Sequence, residues 1–547
     1  MKERSLMIDP VSPDEERCGV DIVFGRRLPV GIRDFKRMRE EGFRYVDKTG
    51  AVCRLAHSGG FYFLARPGGF GKSVLVSTFK ALFEGRKDLF TGLEIECADW
   101  KWDRHAVFHL DFEGVDMSES DALEYFLDMC LCGWEAEYGK VSANKDVYGR
   151  FADVIRAGKI ATGRKTVVLV DGFDLPLVES FLSLEGREYC RGVLSRFFGV
   201  VKECESDVCF ALVTSCTKLC ADSVFSVLGS VDDISLDGDF DSICGIRESE
   251  VLKCFSDEVA RLGEIYGATE EVMLGILRNF YGGYRFSEVR GGCVYNLSGI
   301  MSAFRKGRID DYLSVGSMGG VIAEALRQSC RPVNDIQDWK RSGMELMTLE
   351  PRALDPIAVM YQCGYLTVKG FDPESGLYRL GYPNMAMRRA CMDYVVPIYD
   401  YGCRYKHDFD IRSFRSDVEE GDVDSFMRRL QSFMGSLPYD HCPKGMSEGR
   451  LHDIVFTVGS LMGFEVGTEL HTSMGRIDMV VHTSRRIYVF EFKLNHRAND
   501  AIRQIERCRY AERFMVSGKE IVCVGVSFSS ETRNISEWRV SRYADAG

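Results

Sequence analysis

The sequence predicts an α/β protein with a parallel-sheet N-terminal domain, a mainly helical middle region and a compact α/β domain at the C-terminus. Three observations carry that prediction. Short apolar runs alternate with amphipathic stretches in the first half, the pattern turns mainly helical from about Ile243 to Asp400, and strand and helix patterns return after it. At 547 residues the chain is too long for one ordinary core, and about three domain-sized units are expected. The boundaries read as an N-terminal extension over 1–27, a first domain over 28–242, the middle region over 243–407 and a last domain over 408–547.

Four runs in the first half read as buried strands: Phe61–Ala65, Ala106–Phe112, Thr166–Asp171 and Val208–Thr214. The stretches Ser73–Phe83 and Leu123–Trp134 have helical periodicity, and this strand–helix alternation favours a parallel sheet covered on both faces. The middle region holds short extended pieces such as Gly364–Lys369 and Leu377–Gly381. The polar segment Asp408–Asp424 opens the last unit. A helix over Leu451–Met462 follows, then strands over Phe464–Glu469, Arg476–His482 and Arg486–Leu494, a basic helix over Ala498–Phe514 and a final strand over Glu520–Phe528.

Composition narrows the class. The 45% hydrophobic and 28% charged content is that of a soluble globular protein, and no apolar run approaches the roughly 20 residues of a membrane span. The N-terminus lacks the apolar stretch of a secretory signal, so a cytoplasmic protein with no membrane partner is expected. The 20 cysteines are scattered, and Cys130/Cys132 and Cys204/Cys209 lack a second pair at zinc-site spacing, so reduced, buried thiols are expected. The net charge of −12 argues against nonspecific coating of nucleic acid. Between His471 and Glu520, however, ten Lys/Arg face six Asp/Glu, the footprint of either a nucleic-acid face or a solvated helix face.

The first chemical constellation follows the strand Phe61–Leu64. The loop Ala65-Arg-Pro-Gly-Gly-Phe-Gly-Lys-Ser73 leads directly into a helix whose apolar face is Val74, Leu75, Thr78, Phe79 and Leu82. A strand, a glycine loop and a helix N-terminus together make an anion site from backbone N–H groups and the helix dipole. Gly71, Lys72 and Ser73 are the binding candidates, with Lys72 reaching the β/γ-phosphates of ATP and Ser73 holding Mg²⁺. Arg66 stands where G-x-x-x-x-G-K-[ST] has its first glycine, so a plain turn and helix cap remains the alternative. The strand Thr166–Asp171 ends in an acid, Asp171, that can join a Mg²⁺ shell at the sheet edge. Gly172 follows, where ATPases of this kind carry a water-polarising Glu, and Asp174 reads either as a substitute or as a turn cap before Pro176.

The second constellation is Arg476-Ile-Asp-Met-Val-Val481 and, after a turn at Thr483–Arg485, Ile487-Tyr-Val-Phe-Glu-Phe-Lys493. On a strand Glu491 and Lys493 share one face, while Phe490 and Phe492 point to the other, into a core. Pairing of the two strands brings Asp478 towards Glu491. Two carboxylates there could hold Mg²⁺ or Mn²⁺, with Lys493 assisting a water and offsetting phosphate charge. The three-residue acid-x-Lys signal alone is weak, since Asp34/Lys36, Asp99/Lys101 and Asp338/Lys340 repeat it. A charged pair on an exposed strand is therefore the competing reading. Glu448 reads either as a third metal carboxylate or as an N-terminal helix charge, and Glu469 as a solvent-facing strand end. Gln504, Arg503 and Arg507 lie on the basic helix, where they could meet a phosphate backbone.

With both constellations in place, the chain resembles a family of prokaryotic proteins that join an AAA-ATPase-like N-terminal domain to a PD-(D/E)XK nuclease C-terminal domain. The resemblance runs from about Leu28 to Val540. It rests on Leu28-Pro-Val-Gly-Ile-Arg-Asp-Phe35, Tyr45-Val-Asp-Lys-Thr49, Arg66-Pro-Gly-Gly-Phe-Gly-Lys-Ser73, Asp233-Ile-Ser-Leu236, Tyr281-Gly-Gly-Tyr-Arg-Phe286 and Val294-Tyr-Asn296. Gly475-Arg-Ile-Asp478, Phe490-Glu-Phe-Lys493, Tyr510-Ala-Glu512 and Ser529-Ser-Glu-Thr-Arg-Asn-Ile535 extend it through the last domain. It implies a P-loop parallel-sheet ATPase-like domain and a PD-(D/E)XK nuclease-like domain. The implied activity is a metal-dependent nuclease that cuts nucleic-acid phosphodiester bonds, with ATP bound alongside. Asp478 and Glu491 would hold the metal, Lys493 would assist the water, Gln504 would orient backbone or water, and Lys72, Ser73 and Asp171 would hold Mg-ATP. DNA is favoured over RNA as partner, and a homo-oligomer fits the habit of AAA-type domains.

Three departures from the family pattern stand out. Gly68 and Gly69 replace two basic residues of its R-P-R-R-F-G-K-S loop, Asp171-Gly-Phe-Asp-Leu-Pro176 replaces D-E-Y-D-K-P, and Gly282 replaces the acid of Y-D-G-Y-R-F. All three fall outside the nuclease-like domain. They keep open a second reading, a nucleotide-binding switch or interaction protein with weak or no turnover.

Overall fold

The structure is a computed structural model. It describes residues 27–117, 121–140, 146–180, 183–221, 231–287, 292–312, 340–349, 354–388, 411–436, 464–472 and 474–543, with the single positions 224, 321, 322, 325, 390 and 458. The described residues fall into two compact units, one within 27–390 and one within 411–543.

In the first unit the strands are Gly60–Ala65 (β1), Val107–Asp111 (β2), Thr166–Asp171 (β3), Val208–Ser215 (β4) and the short Asp232–Asp233 (β5). They form one parallel sheet in the order β2-β3-β4-β1-β5. All six residues of β3 are buried, as a Val-rich strand covered on both faces must be. The helix Lys72–Phe83 covers the sheet with Leu75, Val76, Phe79 and Leu82. The predicted helix over Leu123–Trp134 is seen as Ala122–Tyr138. Register aligns the C-terminal strand ends: Asp111 pairs with Asp171, Val170 with Val213, and Leu64 with Thr214. The loop after β1 and the acid at the end of β3 therefore meet at one sheet edge, separated by a single strand.

The middle region packs the helices Glu248–Tyr266, Glu270–Tyr281 and Leu297–Lys306 around Phe255, Val259, Leu277, Ile300 and Phe304. Ile246–Arg247 (β6) pairs with Val294–Tyr295 (β7), and Lys340–Ser342 (β8), Thr367–Asp372 (β9) and Leu377–Gly381 (β10) form a sheet in the order β8-β10-β9. The strand expected over Gly364–Lys369 starts later, at Thr367. Gly364 has φ +85° and Tyr365 N–H donates to Met360 O, which turns the chain after the helix Pro356–Gln362.

The second unit is a five-stranded sheet of Glu465–Thr472 (β11), Gly475–His482 (β12), Arg486–Leu494 (β13), Glu520–Ser529 (β14) and Asn534–Tyr543 (β15), in that order. All neighbours are antiparallel except β13 and β14, which the helix Ala498–Arg507 connects as a parallel pair. One face carries Phe490 and Phe492 against Phe414, Phe426, Met427 and Leu430 of the helices Ile411–Glu420 and Val423–Ser436. The other face carries Val480, Ile487 and Val489 against Ile502, Ile505 and Tyr510.

Three expectations change here. The segment Asp408–Asp424, read as polar, contains the amphipathic helix Ile411–Glu420. The basic helix ends at Arg507, because Arg509 takes the left-handed conformation (φ +51°) and a 3₁₀ segment, Tyr510–Ser517, follows. A further strand, β15, closes the sheet beyond the expected last one. The helix expected over Leu451–Met462, Val458 apart, and the candidate Glu448 lie outside the described residues. No helix among the described residues is long and apolar enough to cross a membrane.

Candidate functional site

The glycine loop joins β1 to the helix Lys72–Phe83, with Gly69 and Gly71 at positive φ (+81° and +92°). The middle region grips this loop. Asn296 Nδ2 donates to Gly68 O (2.9 Å), Ser298 N–H to Gly69 O (3.0 Å) and Gly245 N–H to Phe70 O (2.8 Å). A Cβ at Gly69 would stand 2.8 Å from Asn296 Oδ1, so the close approach requires glycine there. Lys72 Nζ donates back to Arg66 O (2.8 Å) and Pro67 O (3.1 Å) and lies 3.2 Å from Cys216 Sγ. Burial pulls the Lys72 ammonium down, but Cys216, Asp171 and Asp174 outweigh it and hold the group above its ordinary value. Among the described residues, the N–H groups of Gly68 to Ser73 have no backbone acceptor, as the anion-binding mouth of a helix requires.

Arg66, the residue in place of the first glycine, is 1% exposed. Its guanidinium donates to Ala65 O, Ser235 O and Phe240 O and lies over the Phe286 ring at 4.3 Å. Burial lowers its pKa from the ordinary arginine value. The side chain thus ties the end of β1 to the segments 235–240 and 284–286.

Asp171, 4% exposed, accepts from Thr214 Oγ1 (2.9 Å). Gly172 has φ +72°, and a Cβ there would meet Leu175 Cδ1 at 2.7 Å. Asp174 is buried and accepts from Cys216 N–H (3.1 Å), Thr217 N–H (2.7 Å) and Thr217 Oγ1 (2.8 Å). Burial pushes its carboxyl up against the lowering effect of those hydrogen bonds and of Lys72. It makes no side-chain cap bond before Pro176, where the sequence reading placed a turn cap, and instead holds the Cys216–Thr217 turn after β4.

The structure adds three residues that the sequence did not single out. Arg33 Nη2 lies 2.9 Å from Ser73 Oγ, 3.3 Å from Asp171 Oδ2 and 3.5 Å from Asp111 Oδ1, and it also contacts Glu113 Oε2. Asp111 ends β2 as Asp171 ends β3, and that repetition, with the place of Arg33 in the Leu28–Phe35 motif, was the available signal. Because Arg33 lies between Ser73 and Asp171, the two Mg²⁺ candidates do not fit a divalent ion in this arrangement.

In the second unit β12 and β13 pair with Met479 opposite Phe490, which sets Asp478 and Glu491 at neighbouring positions of the antiparallel pair. Asp478 Oδ2 accepts from Phe492 N–H (2.8 Å), and Lys493 Nζ donates to Glu491 Oε1 (2.9 Å). Glu491 is 1% exposed and Lys493 is partly exposed. Gly525 on β14 lies beside Glu491, and a Cβ there would stand 2.5 Å from Ala498 O, so glycine lets the helix Ala498–Arg507 lie close over the acid.

Tyr510 follows the break after that helix. Its hydroxyl donates to Arg476 O (2.8 Å) and meets the Gln504 side chain. Burial raises the Tyr510 pKa, Gln504 works against the rise, and the negative charge of Glu491 adds to it. Tyr510 therefore links Gln504 to the strand of Asp478. Arg503 is exposed, with a long contact to Asp500 (3.9 Å), and Arg507 is exposed. Among the described residues no group of three or more His, Cys, Asp or Glu is placed to hold a metal ion. Asp478 and Glu491 are a pair of hard oxygen donors, which suits Mg²⁺ or Mn²⁺ completed by water and substrate phosphate.

Comparison with known proteins agrees with this division. Residues 29–225 match the family described as predicted AAA-ATPase, and residues 446–538 match the PD-(D/E)XK nuclease superfamily. A protein of Azotobacter chroococcum mcd 1, described as an uncharacterized protein in the vnfD 5' region, is similar along nearly its whole length. It is 28% identical over 526 residues, which cover 93% of this chain and 98% of that protein. The chain thus matches the predicted AAA-ATPase family in its N-terminal part and the PD-(D/E)XK nuclease superfamily in its C-terminal part.

Proposed function

We propose that the chain is a metal-dependent nuclease that hydrolyses nucleic-acid phosphodiester bonds, DNA ahead of RNA, and that its N-terminal unit binds ATP as a regulator. The observation that supports this best is the grouping of Asp478, Glu491 and Lys493 at one end of a buried strand pair. Asp478 and Glu491 would hold Mg²⁺ or Mn²⁺. A divalent ion there supplies charge stabilisation for the phosphate and lowers the pKa of a bound water. Lys493, kept beside Glu491, offsets phosphate charge and positions the water. Gln504 orients substrate backbone or water, with Tyr510 fixing its place. Lys72 and the loop N–H groups bind the phosphates of ATP.

The test is cleavage of plasmid, linear and single-stranded substrates with Mn²⁺, with and without ATP, comparing wild type with Glu491→Gln. Gln keeps the volume of this buried side chain, so the variant should fold and lose at least about 100-fold in cutting rate. Cutting that persists unchanged in Glu491→Gln would remove the site from consideration.

A second reading, a nucleotide-binding switch with little turnover, draws on a different observation. Gly172 offers no acid, and Asp174 is committed to the Thr217 turn. That reading expects thermal stabilisation by ATP without phosphate release or cleavage.

A further inference from the structure

We infer that Arg33 is the resident cation of the nucleotide site, standing between Ser73 and Asp171 so that ATP binding depends little on Mg²⁺. The inference rests on the ATP-binding reading of the same loop. One nitrogen, Arg33 Nη2, is the common neighbour of four oxygens: Ser73 Oγ, Asp171 Oδ2, Asp111 Oδ1 and Glu113 Oε2. An ordinary surface ion pair joins one cation to one acid and contributes little. Here a single positive charge is shared by three carboxylates and the very hydroxyl that the loop motif assigns to Mg²⁺.

Its position is set by more than charge. Ser77 Oγ, on the helix that starts at Lys72, accepts from Phe35 N–H (2.9 Å), and its one proton faces Val74 O (2.9 Å) and Arg33 O (3.2 Å). The Asp34 carboxylate caps the helix Phe35–Glu40 through Arg37 N–H (2.6 Å). The backbone that carries Arg33 is thereby fastened to the phosphate-loop helix itself.

The electrostatic consequence has a definite sign. With Arg33 present, three acids are partly neutralised, and the polyanionic triphosphate can approach Lys72 and the loop without a metal. Mg²⁺, which gives up its water reluctantly, must instead displace the guanidinium to reach Ser73 and Asp171. Removing Arg33 leaves Asp111, Glu113 and Asp171 without that charge. Such a site repels metal-free ATP and attracts Mg²⁺.

The experiment measures the ATP dissociation constant with Mg²⁺ and with EDTA for wild type, Arg33→Gln and the charge-retaining Arg33→Lys. Thermal unfolding checks that each variant is folded. The expected ratio of the EDTA to the Mg²⁺ constant is about one to three for wild type and Arg33→Lys, rising to about tenfold or more in Arg33→Gln. A wild-type ratio already at that higher level and unchanged in Arg33→Gln overturns the inference. Absence of ATP binding by wild type under both conditions is a different failure, because it removes the ATP-binding reading on which the inference stands.

Discussion

Two substitutions, one in the glycine loop and one after β3, look like repairs of a motif, and the surrounding contacts predict that neither repairs it. Arg66→Gly restores the first glycine but removes the donor for Ser235 O and Phe240 O and the cation over Phe286. The loss should be about 3 kcal/mol, read as a lower urea midpoint for the first unit, and a change below about 0.5 kcal/mol would refute the structural role. Gly172→Glu restores the missing acid on a backbone at φ +72°, with Leu175 Cδ1 2.7 Å from the new Cβ. It should cost about 1–2 kcal/mol and release no additional phosphate from ATP, and a gain of ATPase turnover would contradict this account. Lys72, Ser73, Asp171, Asp478, Glu491 and Lys493 were legible because each sits in a local pattern of strand, loop and charge. Arg33, Asp111 and Glu113 were not, because only the folded sheet edge brings positions 33, 73, 111, 113 and 171 together.

Among the elements, the strands of the first sheet were readable because a strand buried on both faces must be apolar throughout, as β3 is. The strand β15 was not readable, because an edge strand with Glu537, Arg539 and Arg542 along it carries only sparse apolar alternation. The end of the basic helix was hidden for another reason. Arg509 takes the left-handed conformation without glycine or asparagine, the residues that usually signal it. That break turns Tyr510 back towards Arg476 O and Gln504, so helix placement and site geometry are one problem. Gly525→Ala tests it. The new methyl would meet Ala498 O at 2.5 Å and Ala501 Cβ at 3.0 Å, and a backbone oxygen cannot move aside cheaply. The helix must lift from β14, at a cost of about 1–3 kcal/mol. Cleavage should fall with stability, since Glu491 lies beside Gly525 in the neighbouring strand. A variant with wild-type stability and cleavage would show that the close packing has no role.

At the scale of the whole molecule, the proposed pairing of an ATP-binding regulator with a nuclease makes a thermodynamic demand that neither unit makes alone. If ATP on the first unit changes the affinity of the second for nucleic acid by some factor, nucleic acid must change ATP affinity by the same factor. Coupling between sites of this kind is commonly about 5–150-fold, well within reach of direct titration. The Glu491→Gln protein suits the measurement because it should bind substrate without consuming it. Its DNA dissociation constant is expected to shift at saturating ATP, and its ATP constant to shift equally at saturating DNA. The exposed Arg503 and Arg507 separate binding from coupling. Replacing both with Ala should weaken DNA binding and reduce its salt slope by about 2, while leaving the ratio of the ATP constants intact. Equal shifts in both directions would establish that the two units act as one machine. Two unchanged constants, with cleavage still present, would mean that the first unit serves a task separate from cutting, and the regulatory half of the proposed function would fall while the nuclease half stood.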